Sequence, residues 1–454
     1  MNTDASLVLP SATIPVCHTA DVCVIGGSCT GVFAAVRAAE AGLSVALIEN
    51  HGFLGGTATA GLVPVWHSIF STDGKRQIIS GLTEEIIQRL AACGEARLCP
   101  RTDPAHYAFL NVAALELALD ELVAEHPSIR LFLHARLVDA AVPSPGRPTH
   151  AVIEDKSGRR AIAARFFIDA SGDADFLARA GFPTWTLPRS DIQSHTTCAL
   201  LDGVDRIKAV YPDFSFGELM HPRRGAGLQH VFQWSAPVIG CPSLTFLAAT
   251  RVNNCDPSDA DDLTAAELEA RAQLRRIVDA ANREFPLPNG DRLSIAAIAP
   301  DMGLRESRHA RCLYRITGED VLTGRTFPDT IARGSYRVDV HEREGIVFRY
   351  LDGTESRMVA DLAAGDIHWE KGRWRPEQAV DPTFYEIPYR SLVPEGSVNV
   401  LCAGRMLDCE REAYGALRVM VNCNQMGEAA GLAAARALLE GLSAADACPA
   451  MPLP

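Results

Sequence analysis

The stretch that decides the fold runs from Asp21 to Glu49, "DVCVIGGSCTGVFAAVRAAEAGLSVALIE". An apolar run, Val22 to Ile25, stops abruptly at Gly26-Gly27-Ser28-Cys29-Thr30-Gly31. A helix of small residues follows, in which Ala34, Ala35, Ala38 and Ala39 form one flat face for close packing against a sheet. Gly42 suits the helix stop, and Val45 to Ile48 reads as a second buried strand ending at Glu49. This is a β-α-β unit with the landmarks of a dinucleotide site. Glycines at the strand-to-helix turn let backbone N–H groups reach a pyrophosphate, and the helix N-terminus adds a favourable dipole. Glu49 follows Gly31 by 18 residues, where a carboxylate accepts hydrogen bonds from a ribose. Its charge repels a 2′-phosphate, which argues against NADP. Ser28 stands where the motif has its middle glycine; its hydroxyl is a candidate phosphate ligand, but its side chain leaves the backbone less room.

Next comes "NHGFLGGTATAG", Asn50 to Gly61. Gly55, Gly56 and Thr57 offer backbone donors and a hydroxyl to a second part of one extended cofactor. Two glycine turns flanking one acid favour FAD, whose adenine and flavin ends lie far apart.

Bulk composition narrows the class. A chain of 454 residues with 47% hydrophobic and 22% charged residues reads as a globular protein of about two domains. The balance of 43 basic against 56 acidic residues gives a net charge of −13. Nucleic acid and anionic membrane are therefore unexpected partners. No apolar run is long enough to span a bilayer, and the first 20 residues lack the pattern of a secretory signal. Thirteen scattered cysteines without a C-x-x-C pair point to reduced thiols in a cytoplasmic protein, with no metal site.

Downstream, "IRLFLHARLVDAAV", which contains Val138, reads as two strands, and "HAVIEDKSGRRAIAARFFIDASGD" as two more around Ser157-Gly158. The last ends at Asp169-Ala170-Ser171-Gly172-Asp173, as a parallel sheet presents its ligand-binding edge. Asp173 is equally a candidate cap for the next helix. From about Asp175 the β-α-β alternation ceases. Thr264 and Glu267 suggest a capping box opening a helix with Leu268, Leu274, Ile277 and Val278 as its buried stripe. Leu304 to Ile316 reads as a loosely alternating strand in an arginine-rich stretch, and Thr317 with Asp320 as the start of a short helix. Arg305 shares a face of that strand with Ser307 and His309, whereas Arg308 falls on the other. Arg305 is then a candidate anion binder, with His309 or His341 as proton carrier; solvated ion pairs and a structural histidine are the plainer alternatives. "VNVLCAGRM" is a buried strand closing at Gly404 and Arg405, and a long helix begins near Val421 to Asn424. A helix N-terminus there would stabilise charge on a reduced flavin. The residues after Leu442 read as a loose tail.

Four blocks in order, the N-terminal unit, "FLGGT", "FFIDASGDADFLARAG" and "VLCAGRMLDCEREAYGALRVMVNCNQMGEAAG", resemble the FAD-dependent oxidoreductase family of the glutathione-reductase-like, two-dinucleotide-fold flavoprotein superfamily. The stretches "LRESRHARCLYRITGEDV" and "YEIPYRSLVP" resemble it too. The resemblance implies FAD, with Gly26, Gly27, Gly31 and Glu49 at its ADP half. It places Gly56 and Thr57 along the pyrophosphate and ribityl, and Gly404, Arg405, Val421 and Asn422 near the flavin. Ser28, Thr30, Asn50, Gly55, Val138, Ala170, Ser171, Gly172 and Asp173 complete the expected cofactor set. Ser28 and Val421, where relatives carry proline, depart from the pattern. The expected fold is α/β: a discontinuous Rossmann-like FAD domain, 17–175 and 388–446, around an inserted mixed α+β substrate domain, 176–387.

The expected activity is hydride transfer to or from a small polar organic substrate, with Arg305, His309 and His341 as catalytic candidates and an unnamed electron acceptor or donor. A non-redox flavoenzyme of hydratase, lyase or isomerase type and a flavin-binding subunit serving a redox partner are the rivals. The chain has neither the cysteine pair of disulfide reductases nor a second NAD(P)H fingerprint.

Overall fold

The computed structural model describes residues 13–100, 106–223, 227–228, 232–341, 345–361 and 366–453. Its centre is a seven-stranded sheet. Val16–Ile25 lies between Val45–Ile48 and Gly158–Asp169, parallel to both. Ile129–Phe132 extends the parallel part beyond Val45–Ile48, and Val400–Cys402 adds to the other side of Gly158–Asp169. The chain thus returns to this sheet after a long excursion, which makes the Rossmann-like unit discontinuous. His150–Asp155 and Arg136–Ala141 attach as an antiparallel ribbon.

Val22 to Ile25 and Val45 to Ile48 are buried on both faces, as continuous apolar parallel strands require. The helix Cys29–Glu40 covers the sheet and is itself covered by the long helix Met420–Glu440. Small residues set how closely these helices meet. A Cβ added to Gly427 would lie 2.1 Å from the Thr30 carbonyl oxygen, and one on Gly431 2.3 Å from that of Ala34.

Two four-stranded antiparallel sheets stand in the excursion. One orders Trp234–Val238, Cys241–Ala248, Cys198–Asp202 and Ser294–Ile298; the other is a meander from Val338–His341 to Asp366–Arg373.

Four local expectations change. The helix of the excursion spans Ala260–Glu284, capped by Asp259, and Thr264 is an interior residue donating back to Ala260. Asp259 accepts from two first-turn amides ahead of acidic Asp261 and Asp262, a stronger start than Thr264. Leu268 is 61% exposed, and Ala266, Ala270, Leu274 and Ile277 make the buried stripe. Between Leu304 and Ile316 only His309–Ala310 is strand. Finally, the segment after Leu442 is anchored: Ala444 and Ala447 are buried, and the Ala444 N–H donates to the Val398 carbonyl at 2.8 Å. The capping box of Thr317 and Asp320 is present as read.

Candidate active site

Where the parallel strands end, a cavity of about 1150 Å³ opens between the sheet edge and the excursion. Its nearest wall is the first glycine turn. Gly26 has φ +104°, and a Cβ there would strike the Ala170 carbonyl oxygen at 2.4 Å. Gly31 is closed in the same way, with the Gly26 carbonyl oxygen 1.8 Å from a built Cβ. Gly27 donates its N–H to Glu49 Oε2 at 2.6 Å, so the acid at the second strand end ties down the turn at the first. Gly27 and Gly31 therefore shape the turn from behind, while Gly26, Ser28, Thr30, Glu49 and Asn50 line the cavity.

Ser28 caps the helix: its Oγ accepts from the Gly31 N–H at 3.4 Å. The second glycine turn docks directly on this residue, with Gly55 N–H donating to the Gly27 carbonyl at 2.8 Å. Gly55, Gly56 and Thr57 also line the cavity. Beyond Glu49, His51 is clamped between carboxylates, with Nδ1 2.8 Å from Glu49 Oε1 and Nε2 2.7 Å from Asp301 Oδ2. Asp301 first and Glu49 second raise its pKa to about 10.

The third strand end adds Ala170, Ser171, Gly172 and Asp173. Buried Asp169 orders this turn by accepting from the N–H and hydroxyl of Ser171. Asp173 does not cap the helix Asp175–Arg179. It pairs instead with Arg405, whose Nη2 donates at 2.7 Å, and accepts from Ser307. Gly404 and Arg405 both line the cavity, and Arg405 Nη1 is buried without a partner.

At the far side the helix Met420–Glu440 presents an N-terminus with no side-chain cap. Met420, Cys423 and Asn424 lie on the cavity, and Asn424 Nδ2 is buried and unpartnered. Val421 and Asn422 do not line it: one helical step turns them away, and Asn422 Nδ2 donates to Tyr385 Oη and the Ala416 carbonyl. Val138 also falls off the cavity. It is skipped by the pairing between Leu137↔Ile153 and Asp139↔Val152, and Ala135, Arg136 and Leu137 reach the cavity instead.

These features fit FAD. Two glycine turns without room for side chains, an acid at the second strand, an open helix N-terminus and unpartnered donors on Arg405 and Asn424 all border one cavity. A family description, FAD dependent oxidoreductase, matches residues 21–447. The chain belongs to that family. FAD is its cofactor.

Among solved structures, this FAD-dependent oxidoreductase is similar to a geranylgeranyl bacteriochlorophyll reductase-like protein of Thermoplasma acidophilum (13% identity, 93% of this chain and 80% of that one, TM-score 0.46). A flavin-dependent brominase, Bmp2, matches at 13% identity over 94% of this chain and 81% of its own, with a TM-score of 0.46. The myxobacterial chondrochloren halogenase CndH gives 13% identity, 95% and 77% coverage and a TM-score of 0.45. Likeness at this level says nothing of substrate. No curated protein matches the chain.

Of the catalytic candidates, Arg305 and His341 line the cavity and His309 does not. His309 is 1% exposed, stacks on Trp185 at 4.2 Å, and is held by the Leu407 carbonyl and Glu306. It is a packing residue, because the chain around it is not the regular strand that would have aligned it with Arg305. Arg308 does reach the cavity, donating to the Asp173 carbonyl and lying 3.3 Å from Asp175. Residues the sequence reading passed over complete the site: Arg251, Tyr336, Arg337, Asp339 and Arg418. A signal for two of them was present, since alternation in "YRVDVH" puts Arg337, Asp339 and His341 on one strand face.

Proposed function

We propose that this flavoprotein exchanges a hydride between its FAD and a small polar organic substrate, and that His341 moves the accompanying proton. One observation carries the reading: a buried histidine with an unpartnered ring nitrogen borders the same cavity as the FAD turns. His341 Nε2 lies 3.1 Å from Asp339 Oδ1, a close contact that is too bent to be a full hydrogen bond. Asp339 in turn accepts from Tyr336 Oη at 2.9 Å and borders Arg418. The carboxylate favours the proton on Nε2, which leaves Nδ1 as an acceptor, and Nδ1 is buried with no partner. Burial first, and Arg305 second, hold the His341 pKa well below its usual value, so the ring is neutral and its free Nδ1 carries a lone pair. Bound FAD supplies the hydride acceptor or donor. Substrate enters from the excursion side, and the electron acceptor that completes the cycle is a separate partner.

Anaerobic mixing of the FAD-loaded protein with candidate substrates, followed by flavin absorbance, tests this. A substrate should bleach the parent. His341→Gln should slow bleaching by about 10²–10⁴-fold at equal FAD content, the usual contribution of a positioned proton carrier. Bleaching by the variant at the parental rate would remove His341 from the chemistry.

A further inference from the structure

Four guanidinium groups from four separate segments meet in one part of the cavity wall. Arg251 follows the strand Cys241–Ala248, Arg305 sits in the irregular stretch before His309, Arg337 precedes Val338–His341, and Arg418 joins two helices. Arg251 and Arg305 each donate through Nη1 to the same Thr196 Oγ1, at 2.7 and 2.8 Å, so two like charges stand side by side. Among the described residues, the one ion pair these four make is Arg418 Nη2 to Asp339 Oδ2, at 3.5 Å.

Many of their donors are left over. Nε of Arg251, Arg337 and Arg418 is buried without a partner, and Arg251 as a whole is 1% exposed. Among the described residues, Arg305 uses only Nη1 in side-chain hydrogen bonds to protein acceptors. Arg337 makes no side-chain hydrogen bond to a described residue and rests on the rings of Tyr336 and Phe348, 5.2 and 4.2 Å from their centroids. His67 and His341, the cavity-wall histidines beside these arginines, bring no charge: burial pulls His67 down to about 4 and holds His341 well below its usual value. Burial and the neighbouring arginines hold Arg305 well below its usual value, and burial brings Arg251 down to about 10. A fold does not gain stability from buried cations that outnumber their counter-charges. Such a group is retained where a ligand brings the missing negative charge.

We propose that Arg251, Arg305, Arg337 and Arg418 recognise a small dicarboxylic acid, which is the substrate class of the flavin reaction. Only the word substrate rests on the redox reading above; recognition of the diacid does not. The planar guanidinium fork pairs with a carboxylate through two parallel hydrogen bonds. Two carboxylates balance most of the excess that four guanidiniums leave over Asp339. The ring faces of Phe232, Tyr336 and Phe348 stack the guanidiniums and offer an apolar surface to a short carbon chain.

Isothermal calorimetry on the full-length, FAD-loaded protein tests the site with succinate and malonate, against succinamide, butanoate and inorganic phosphate. At least one diacid should bind about tenfold or more tighter than every control, the worth of one charge-assisted hydrogen-bond pair. Arg337→Gln and Arg305→Gln should each weaken it by about tenfold at unchanged FAD content. Arg337→Lys, which keeps the charge and loses the fork, should fall between parent and Arg337→Gln and guards against a folding defect. No diacid binding, equal binding of succinamide or butanoate, tighter binding of phosphate, or variants that bind like the parent would each overturn the proposal. Diacid binding without flavin bleaching by any diacid would keep the recognition site and sink its role as the substrate site.

Discussion

Gly56 faces Ser28 so closely that a Cβ built on Gly56 would lie 2.6 Å from Ser28 Cβ. This pairing explains the serine in the glycine motif: the room it takes is returned by a glycine on the adjoining turn. Ser28→Gly should therefore cost only about a few tenths of a kcal/mol, the loss expected on replacing a serine cap with glycine, and should keep FAD. Gly56→Ala should be much worse. It adds the clash to a left-handed backbone, φ +57°, which costs an alanine about 1–2 kcal/mol by itself. Thermal melts and bound-flavin ratios of the two variants and the double variant check this. In the double variant the 2.6 Å clash is gone, while a tight 3.1 Å contact with the Cα of residue 28 and the backbone strain remain, so its losses should lie between the two.

His51, in its carboxylate clamp, makes the stability of this region depend on pH. Its ring nitrogens both meet carboxylates, Asp301 and Glu49, and its folded pKa is raised from 6.5 to about 10. A raised pKa means the folded state holds the proton more tightly than the unfolded chain. The stabilisation is complete below pH 6.5 and declines steadily until it is lost near pH 10. Urea unfolding across that window should show stability falling with pH in the parent and a flatter profile in His51→Ala. Equal slopes would mean that the clamp does not hold a proton in the folded protein.

The sheet was legible because β-α-β units write their geometry locally: an apolar strand, a glycine turn, a small-residue helix and a terminal acid within one short stretch. The edge of that sheet was legible for the same reason: Gly26, Gly55, Ala170 and Gly404 all line the cavity. The substrate side was not. Period-two reasoning put Arg305 and Arg308 on opposite faces, but no ladder runs there. The backbone is held instead by the Tyr414 hydroxyl on the Arg305 carbonyl and by the Arg305 N–H on His195 Nδ1. Both guanidiniums consequently reach the cavity. Arg251 and Arg418 are single cations in apolar or mixed contexts, and only long-range packing brings them together. His341 was visible as a candidate, yet the meaning of Arg337 and Asp339 beside it depended on which side of the strand faces the cavity.

The contact between the helices Cys29–Glu40 and Met420–Glu440 gives a last test, in which two effects oppose each other. Alanine is favoured over glycine inside a helix by about 1 kcal/mol, so Gly427→Ala would stabilise an isolated helix. In the folded protein its Cβ would sit 2.1 Å from the Thr30 carbonyl oxygen and 2.8 Å from the carbonyl carbon. Those are backbone atoms in the first turn of a helix packed on the sheet, and they cannot swing aside as a flexible side chain would. Overpacking of this kind costs about 1–3 kcal/mol or more, and separation of the helices would also shift Thr30, which lines the cofactor cavity. The clash should win: Gly427→Ala should melt lower than the parent and hold less FAD. Gly372→Ala is the control, because a Cβ there meets nothing within 4 Å, and it should be neutral or slightly stabilising with full flavin content. If Gly427→Ala instead melts with the parent and keeps its flavin, the helices can part without cost, and their close approach is not what positions the glycine turn.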